Sequence, residues 1–202
     1  MRCTDGAELP ADLVLVAAGL VPNVELAEAA GLEVDNGIVV DEFCRTTDPD
    51  ILAIGDCANF PLPFLAHQRV RLESVPNALE HARIAAAWLN GMAAPYDLVP
   101  WFWSDQYNLK LQSVGLAQGF QQEVERPARS PEGFIDFYLK EGRMIAADCV
   151  NAMLEFNAAK RLVAERVPVS AAALADPGVD LKSLLPPKST LSVLIGLCKE
   201  YQ

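Results

Sequence analysis

The sequence lacks the cysteine and histidine patterns that mark metal and disulfide chemistry. Its five cysteines contain no CxxC pair and lie at no ligand spacing from either histidine, so neither a metal site nor a redox disulfide is expected. Free thiols in a reducing compartment are the simpler interpretation. Basic residues are also few: 16 Lys and Arg stand against 27 Asp and Glu, a net charge of −11. That balance argues against nucleic-acid binding, which depends on clustered positive charge.

Long hydrophobic runs are missing as well. The longest, over residues 13–21, has nine residues, whereas a helix needs about 20 to span a bilayer. Residues 1–6 carry a single Arg and then turn polar, which is not the pattern of a signal peptide. We therefore expect a cytoplasmic protein with no membrane segment. Since 51% of the 202 residues are apolar, the chain can still bury the core of one or two domains.

A further absence concerns nucleotide binding. None of the 12 glycines forms a GxGxxG turn, the element that places a pyrophosphate on a helix N-terminus. Pyrophosphate recognition therefore cannot be located in this chain.

What is present is an apolar run that ends on a Gly-Asp pair. Residues 51–54 follow a proline turn and predict a short strand, buried on both faces, within a longer extended segment over 46–54. Gly55 would let the backbone approach a ligand closely. Asp56 would then emerge where ligands bind in open α/β sheets, with lone pairs for ribose or ribityl hydroxyls. A strand followed by a capping Asp is the alternative interpretation.

Three further blocks accompany residues 46–57. They are residues 12–23, residues 71–78 (Arg-Leu-Glu-Ser-Val-Pro-Asn-Ala) and residues 100–107 (Pro-Trp-Phe-Trp-Ser-Asp-Gln-Tyr). In this order and at this spacing the four blocks resemble the C-terminal half of the FAD- and NAD(P)H-dependent ferredoxin reductases of bacterial oxygenase systems, kin to the glutathione-reductase class. The resemblance implies an α/β fold, part of an FAD/NAD(P)-binding architecture with two dinucleotide domains, followed by an α+β C-terminal reductase domain.

The resemblance also implies a division of the chain. Residues 1–24 would end an NAD(P)-binding domain, residues 25–100 would form the C-terminal segment of an FAD-binding domain, and residues 101–202 would form a C-terminal reductase or interface domain. The resembled reductases are about twice as long and carry two GxGxxG turns in the other half. We therefore expect a truncated gene product, an expressed fragment or one half of a split enzyme.

Local patterns predict the following elements. They are a turn at residues 4–6, a buried strand over 13–18, a helix over 24–30 capped by Asn23 and ended by Gly31, a turn at Asn36 and Gly37, a strand over 38–40, a helix over 76–90 capped by Ser74, strands over 109–114, 134–139 and 144–150 with a turn at Glu141 and Gly142, a helix over 152–166, and a packed helix over 191–197. Glu80, His81 and Arg83 are expected on the polar face of the second helix. His67 and His81 have no evident partner, so neither is assigned to catalysis.

Site residues follow from the resemblance. FAD would contact Gly55, Asp56, Ser74, Val75, Pro76 and Trp103. The helix N-terminus at residues 74–76 would stabilise negative charge at the pyrimidine edge of the flavin, and the Trp103 indole would cover its ring. The ordinary alternatives are a plain helix start and a packed aromatic residue.

The remaining contacts implied by the resemblance are with the nucleotide and the protein partner. Gly19 would flank the NAD(P)H dinucleotide, and Glu73 would meet the nicotinamide amide. Arg83 and Lys110 would contact an acidic ferredoxin or rubredoxin. Each charged residue has a solvated surface role as its alternative.

The implied activity is electron transfer from NAD(P)H through FAD to a ferredoxin or rubredoxin that feeds an oxygenase. The flavin carries the chemistry, so no catalytic acid or base is expected. Two alternatives stay open. One is a cofactor-free fragment that only folds and associates, with the missing N-terminal half or with itself as a homodimer. The other is a related NADH oxidase or disulfide reductase.

Overall fold

The computed structural model describes residues 1–92 and 94–186. Within them lie the helices α1 (Glu25–Ala29), α2 (Val75–Leu89), α3 (Met153–Ala164) and α4 (Ala171–Ala175), together with two β-sheets. In this part of the chain no helix is both long and apolar enough to cross a membrane. The helix predicted over residues 191–197 falls outside the described residues.

The first sheet has three short strands. They are β1 (Ile38–Val39), β2 (Ala58–Leu62) and β3 (Gln68–Val70) in the order β1-β2-β3. The β1–β2 pair is parallel and the β2–β3 pair antiparallel. The predicted turn at Asn36 and Gly37 is confirmed, since both residues adopt positive φ. Helix α2 packs Ile84 into the same core as Phe60 and Leu62 of β2.

The second sheet has five antiparallel strands. They are β4 (Trp101–Gln106), β5 (Leu109–Gly115), β6 (Gln122–Pro127), β7 (Phe134–Lys140) and β8 (Arg143–Val150). Their order is β4-β5-β8-β7-β6. Helix α3 covers one face, where Ile135 and Phe137 meet Leu162 in the larger core. The strands predicted over 109–114, 134–139 and 144–150, the turn between the last two and the following helix are all confirmed, whereas β4 and β6 were not predicted.

Two predicted strands of the N-terminal half are wrong. Residues 13–18 form no strand, and Leu13, Leu15 and Val16 are at least 80% exposed. The segment over 46–54 makes only an isolated bridge between Arg45 and Leu52. Residues 51–54 are therefore not a doubly buried strand, and Ile54 is 41% exposed. An apolar run becomes a buried strand only where neighbouring strands pair with it and other elements cover it, and no described residue does this here.

The two predicted helix caps have different outcomes. Helix α1 has Val24 rather than Asn23 at its N-cap, and no side chain caps it. Ser74 caps α2 as predicted, because its hydroxyl accepts a hydrogen bond from the Asn77 backbone N–H at 3.3 Å. The well-capped helix has 15 residues and the uncapped one has five.

Candidate functional site

The Gly-Asp pair lies in a turn that packs against α2. Gly55, Asp56 and Cys57 form one 3₁₀ turn directly before β2. Gly55 is buried and has φ of +75°, a conformation that side-chain-bearing residues rarely adopt. A Cβ placed on it would lie 3.7 Å from the Ala78 Cβ, an ordinary contact. The backbone conformation, rather than lack of space, therefore requires glycine at this position.

Asp56 points away from this packed side of the turn. The residue is exposed, and its carboxylate accepts no hydrogen bond from any described residue. Its backbone carbonyl accepts a hydrogen bond from Arg71 Nη1 at 3.0 Å. The backbone of the turn is thus fixed while the carboxylate keeps its lone pairs for a ligand.

Arg71 connects the turn to the start of α2. Its Nη1 also lies 2.5 Å from Glu73 Oε1, and its Nε donates to Asn36 Oδ1 at 3.3 Å. Its side chain is only 10% exposed. One guanidinium group therefore joins the hairpin at Asn36, the Asp56 turn and the Glu73 carboxylate, as the planar fork of arginine donors permits.

The N-terminus of α2 is the third part of the site. Val75 is the first helical residue and is 57% exposed, and Pro76 follows it in the first turn, where the missing N–H is tolerated. The Asn77 N–H is already bonded to Ser74, whereas the Val75 N–H donates to no described residue. Through Arg71 and the packing of Gly55 on α2, the structure brings Gly55, Asp56, Glu73 and residues 74–76 into one region.

Trp103 and Lys110 lie together on the second sheet. Both line an open hollow of about 510 Å³ between β4, β5 and the start of α3, beside Gln112 and Met153. Trp103 is 45% exposed and packs against Trp101 with 5.6 Å between ring centroids. The lining of this hollow includes neither Gly55 nor Asp56. The Trp103 contact with the flavin therefore stays a prediction.

The other predicted contact residues lie apart from these groups. Arg83 lies on the outer face of α2 and forms a bidentate pair with Glu80 at 2.9 and 2.5 Å. That hydrogen bond raises the pKa of Arg83 above its usual value. Gly19 has φ of +97° in the exposed N-terminal segment, and no atom would lie within 4 Å of a Cβ placed there.

Comparison with known proteins gives the family of this arrangement. Residues 1–82 match the family model described as pyridine nucleotide-disulphide oxidoreductase, and residues 101–185 match the one described as reductase C-terminal. The chain is 49% identical over 183 residues to putidaredoxin reductase of Pseudomonas putida, a match that covers 91% of this chain and 43% of the relative. It is 46% identical over 177 residues to rhodocoxin reductase of Rhodococcus erythropolis, covering 88% and 41%.

The chain is similar to part of the ferredoxin reductases of oxygenase systems. A solved structure of a ferredoxin reductase, that of the CYP199A2 system from Rhodopseudomonas palustris, superposes with a TM-score of 0.83 at 44% identity, covering 89% of this chain and 44% of the other. The covalent putidaredoxin reductase–putidaredoxin complex gives 0.82 at 48% identity, covering 90% and 43%. The α/β fold followed by an α+β reductase domain is therefore confirmed. This ferredoxin reductase-like chain spans less than half the length of the curated relatives it matches.

Sequence reasoning missed two residues that organise the ferredoxin reductase-like site. Arg71 was read only as part of a motif block. His81 was expected on the polar face of α2 without a partner, but it is fully buried, and its Nδ1 accepts a hydrogen bond from the Gly55 N–H at 3.1 Å. Helical spacing carried the signal, because the buried residues of α2 are Asn77, His81, Ile84 and Ala85.

Proposed function

We propose that this chain forms the C-terminal half of a reductase that passes electrons from NAD(P)H through FAD to a ferredoxin or rubredoxin serving an oxygenase. The observation that carries the proposal is the junction of the Gly55–Cys57 turn with the N-terminus of α2, in a chain 49% identical to putidaredoxin reductase. Residues 1–24, 25–100 and 101–202 would belong to the NAD(P)-binding, FAD-binding and C-terminal domains respectively.

The donors and acceptors of this junction fit a flavin. The Asp56 carboxylate, which accepts no hydrogen bond from the described residues, suits ribityl or ribose hydroxyls. The Val75 N–H, which donates to none of those residues, stands at the start of a 15-residue helix and suits an electron-rich ring edge. The exposed side chain of Val75 offers apolar surface beside them. When bound, FAD supplies the conversion of a hydride from NAD(P)H into single electrons. The chain's own residues bind and orient it.

The remaining residues have positioning roles in this proposal. Trp103 would lie against the flavin ring and limit solvent access. Glu73, held by Arg71, would orient the nicotinamide amide, and Gly19 would flank the dinucleotide. All three residues would act by binding and orienting the cofactors. None of them needs to transfer a proton.

An acidic protein partner would be repelled by the net negative charge of this chain, so individual basic residues would have to attract it. Lys110 lies in the hollow beside Trp103, close to the proposed path of electrons. Arg83 is more than half exposed but is already paired with Glu80, so Lys110 would contribute more to steering an acidic ferredoxin or rubredoxin. We place the working protein in the cytoplasm, where NAD(P)H is available.

Binding of FAD tests the first step of the proposal. Added FAD should raise the melting temperature of the chain, because a ligand that binds only the folded state stabilises it. Asp56→Asn should weaken FAD binding by about tenfold through the loss of one charged hydrogen bond. Asp50→Asn changes an exposed carboxylate a few residues away and should leave binding unchanged. Visible absorbance and fluorescence quenching of FAD would report both affinities.

Two results would contradict the proposal. One is a melting temperature that does not respond to FAD even when the chain is joined to the unmatched N-terminal part of putidaredoxin reductase. The other is an equal loss of affinity in both variants, which would indicate a general charge effect rather than a contact at residue 56.

Electron transfer needs the part of the relatives that this chain does not span. A joined protein would place the unmatched N-terminal part of putidaredoxin reductase before residue 1. It should hold FAD and reduce cytochrome c with NADH or NADPH only when a ferredoxin is added. Reduction without ferredoxin would instead favour an oxidase of the related disulfide-reductase class.

One observation favours the second candidate, an association module. Leu13, Val16 and Val21 are exposed by 80–90%, and several exposed apolar side chains within one segment are typical of an interaction surface. Sedimentation of the chain, alone and with the unmatched N-terminal part of a relative, would distinguish a homodimer from a complemented reductase.

A further inference from the structure

The Gly55–Cys57 turn is held from two sides, by a side chain of the loop before α2 and by a side chain of α2 itself. On one side, Arg71 donates to the carbonyl of Asp56. On the other, His81 of α2 accepts the N–H of Gly55 at 3.1 Å. These contacts fix the peptide groups on either side of the Gly55–Asp56 link. The direction in which Asp56 leaves the turn follows from both.

His81 is held firmly enough for this task. It is fully buried. The Phe60 ring meets it edge-on with 4.6 Å between centroids, and Tyr96 lies at 5.5 Å. The backbone carbonyl of His81 faces the Cys44 thiol at 4.0 Å. With aromatic rings on two sides and the helix behind it, the imidazole has little freedom to turn.

The protonation state agrees with an accepting role. Burial lowers the pKa of His81 to about 4, against a smaller opposing effect of Glu80. The imidazole is therefore neutral at physiological pH, and an Nδ1 that accepts a hydrogen bond carries no proton. The ring proton then lies on Nε2, which has no hydrogen-bond partner among the described residues.

We propose that His81 is a positioning residue for the flavin, which acts by holding the Gly55 N–H and thereby aiming the Asp56 carboxylate. The inference rests on the proposed FAD site and adds a residue to it. Its physical basis is that a glycine with positive φ has several accessible conformations, and one hydrogen bond donated by its N–H to a rigid side chain selects among them.

Two substitutions separate the hydrogen bond from the packing. In His81→Asn, the amide Oδ1 takes the place of Nδ1 at the same number of bonds from the backbone, so the acceptor is kept while volume is lost. In His81→Leu, most of the volume is kept while the acceptor is lost. If His81 positions the turn, His81→Leu should bind FAD more weakly than His81→Asn. If His81 only fills space, His81→Asn should be the weaker binder.

FAD titration of the full chain is the deciding measurement. We expect His81→Leu to weaken FAD binding by about tenfold and His81→Asn by less than about threefold, with no matching order in their melting temperatures. The backbone amide resonance of Gly55 should move in His81→Leu and stay close to the parent position in His81→Asn. In the parent protein, the nitrogen resonances of His81 should show an unprotonated Nδ1.

Three outcomes would overturn the inference. If the parent binds FAD and affinity simply follows melting temperature in both variants, His81 is only a packing residue and the proposed function stands. A protonated Nδ1 in the parent would remove the hydrogen bond itself. If FAD binds neither the parent chain nor the protein joined to the N-terminal part of a relative, the proposed function fails first, and a role toward the flavin fails with it.

Discussion

Similar sequence patterns give different structures in the five-stranded sheet and in the N-terminal segment. Residues 134–139 and residues 13–18 are both short apolar runs next to turn signals. The former become β7, with Ile135 and Phe137 fully buried against α3. The latter form no strand and leave Leu15 87% exposed. The difference shows that an apolar run becomes a buried strand only where other elements pair with it and cover it.

The largest expected effect contrasts a covered side chain with an uncovered one. Phe137→Ala should lower the free energy of unfolding by about 3–5 kcal/mol, because it leaves a cavity in the larger core. Leu15→Ala should change it by less than about 0.5 kcal/mol, as for other exposed sites. Urea denaturation of the two variants measures both. A comparable loss in Leu15→Ala would show that the N-terminal segment is buried in solution and would break the comparison.

Two glycines with positive φ, one in the five-stranded sheet and one in the N-terminal segment, extend the comparison to the backbone. A Cβ on Gly115, which has φ of +76°, would overlap the carbonyl oxygen of Ile145 and lie 2.9 Å from the Ala146 Cα. Gly115→Ala should therefore cost about 3 kcal/mol, from a left-handed conformation and a backbone overlap together. Gly19→Ala has the strained φ but no neighbour within 4 Å, so it should cost about 1 kcal/mol at most. Thermal unfolding ranks the two, and equal losses would contradict the expectation.

The smallest effect concerns the face of the five-stranded sheet opposite α3. Burial, followed by the charges of Glu123, Glu125 and Asp148, raises the pKa of Asp136 above its usual value. A raised carboxyl pKa means that the folded state holds the proton more tightly than the unfolded state. Stability is therefore lost as the pH rises from the ordinary carboxyl pKa through the raised pKa of the folded state. Asp136→Asn removes this loss and should stabilise the protein at pH 7 by less than about 1 kcal/mol.

The pH dependence of the stabilisation distinguishes removal of the Asp136 charge from a pH-independent gain in stability. The stabilisation by Asp136→Asn should shrink as the pH falls through the ordinary pKa of an aspartic acid and vanish at about pH 3, where the carboxyl is protonated in both states. Asp50→Asn removes an exposed carboxylate and serves as the control for the change in net charge. A gain that is constant from pH 3 to pH 8 would rule out the carboxylate charges as its source.

Local signals were sufficient for the elements that carry strong chemical markers. Ser74 with Pro76 predicted the start of α2, and Glu141 with Gly142 predicted the turn between β7 and β8. Strand β6 has almost no apolar pattern, so it was missed. It is buried partly through Arg126, which is 3% exposed and donates to the backbone carbonyls of Pro177 and Val179. A buried arginine of this kind depends on carbonyls about 50 residues away, which no local pattern contains.

The candidate site likewise contains residues that local motifs predicted and residues that only the structure revealed. The motif blocks identified Gly55, Asp56 and residues 74–76, and the structure brings these together. The blocks did not reveal that Arg71 and His81 hold the turn between them. Arg71 looked like an ordinary polar residue, and His81 lay next to the charged Glu80 in the sequence. Their roles arise from contacts across 15 and 26 residues.

By itself the sequence determined the family resemblance, the composition and the elements whose ends are set by capping and turn residues, because those signals act between near neighbours in the chain. Only the tertiary structure decided which apolar runs are buried and that His81 lies inside rather than on the polar face. It also decided that Arg71 joins the turn at Asn36, the Asp56 turn and Glu73, the residue before the cap of α2. Burial and long-range hydrogen bonds depend on what lies opposite a residue in space, and that is settled when the whole core packs.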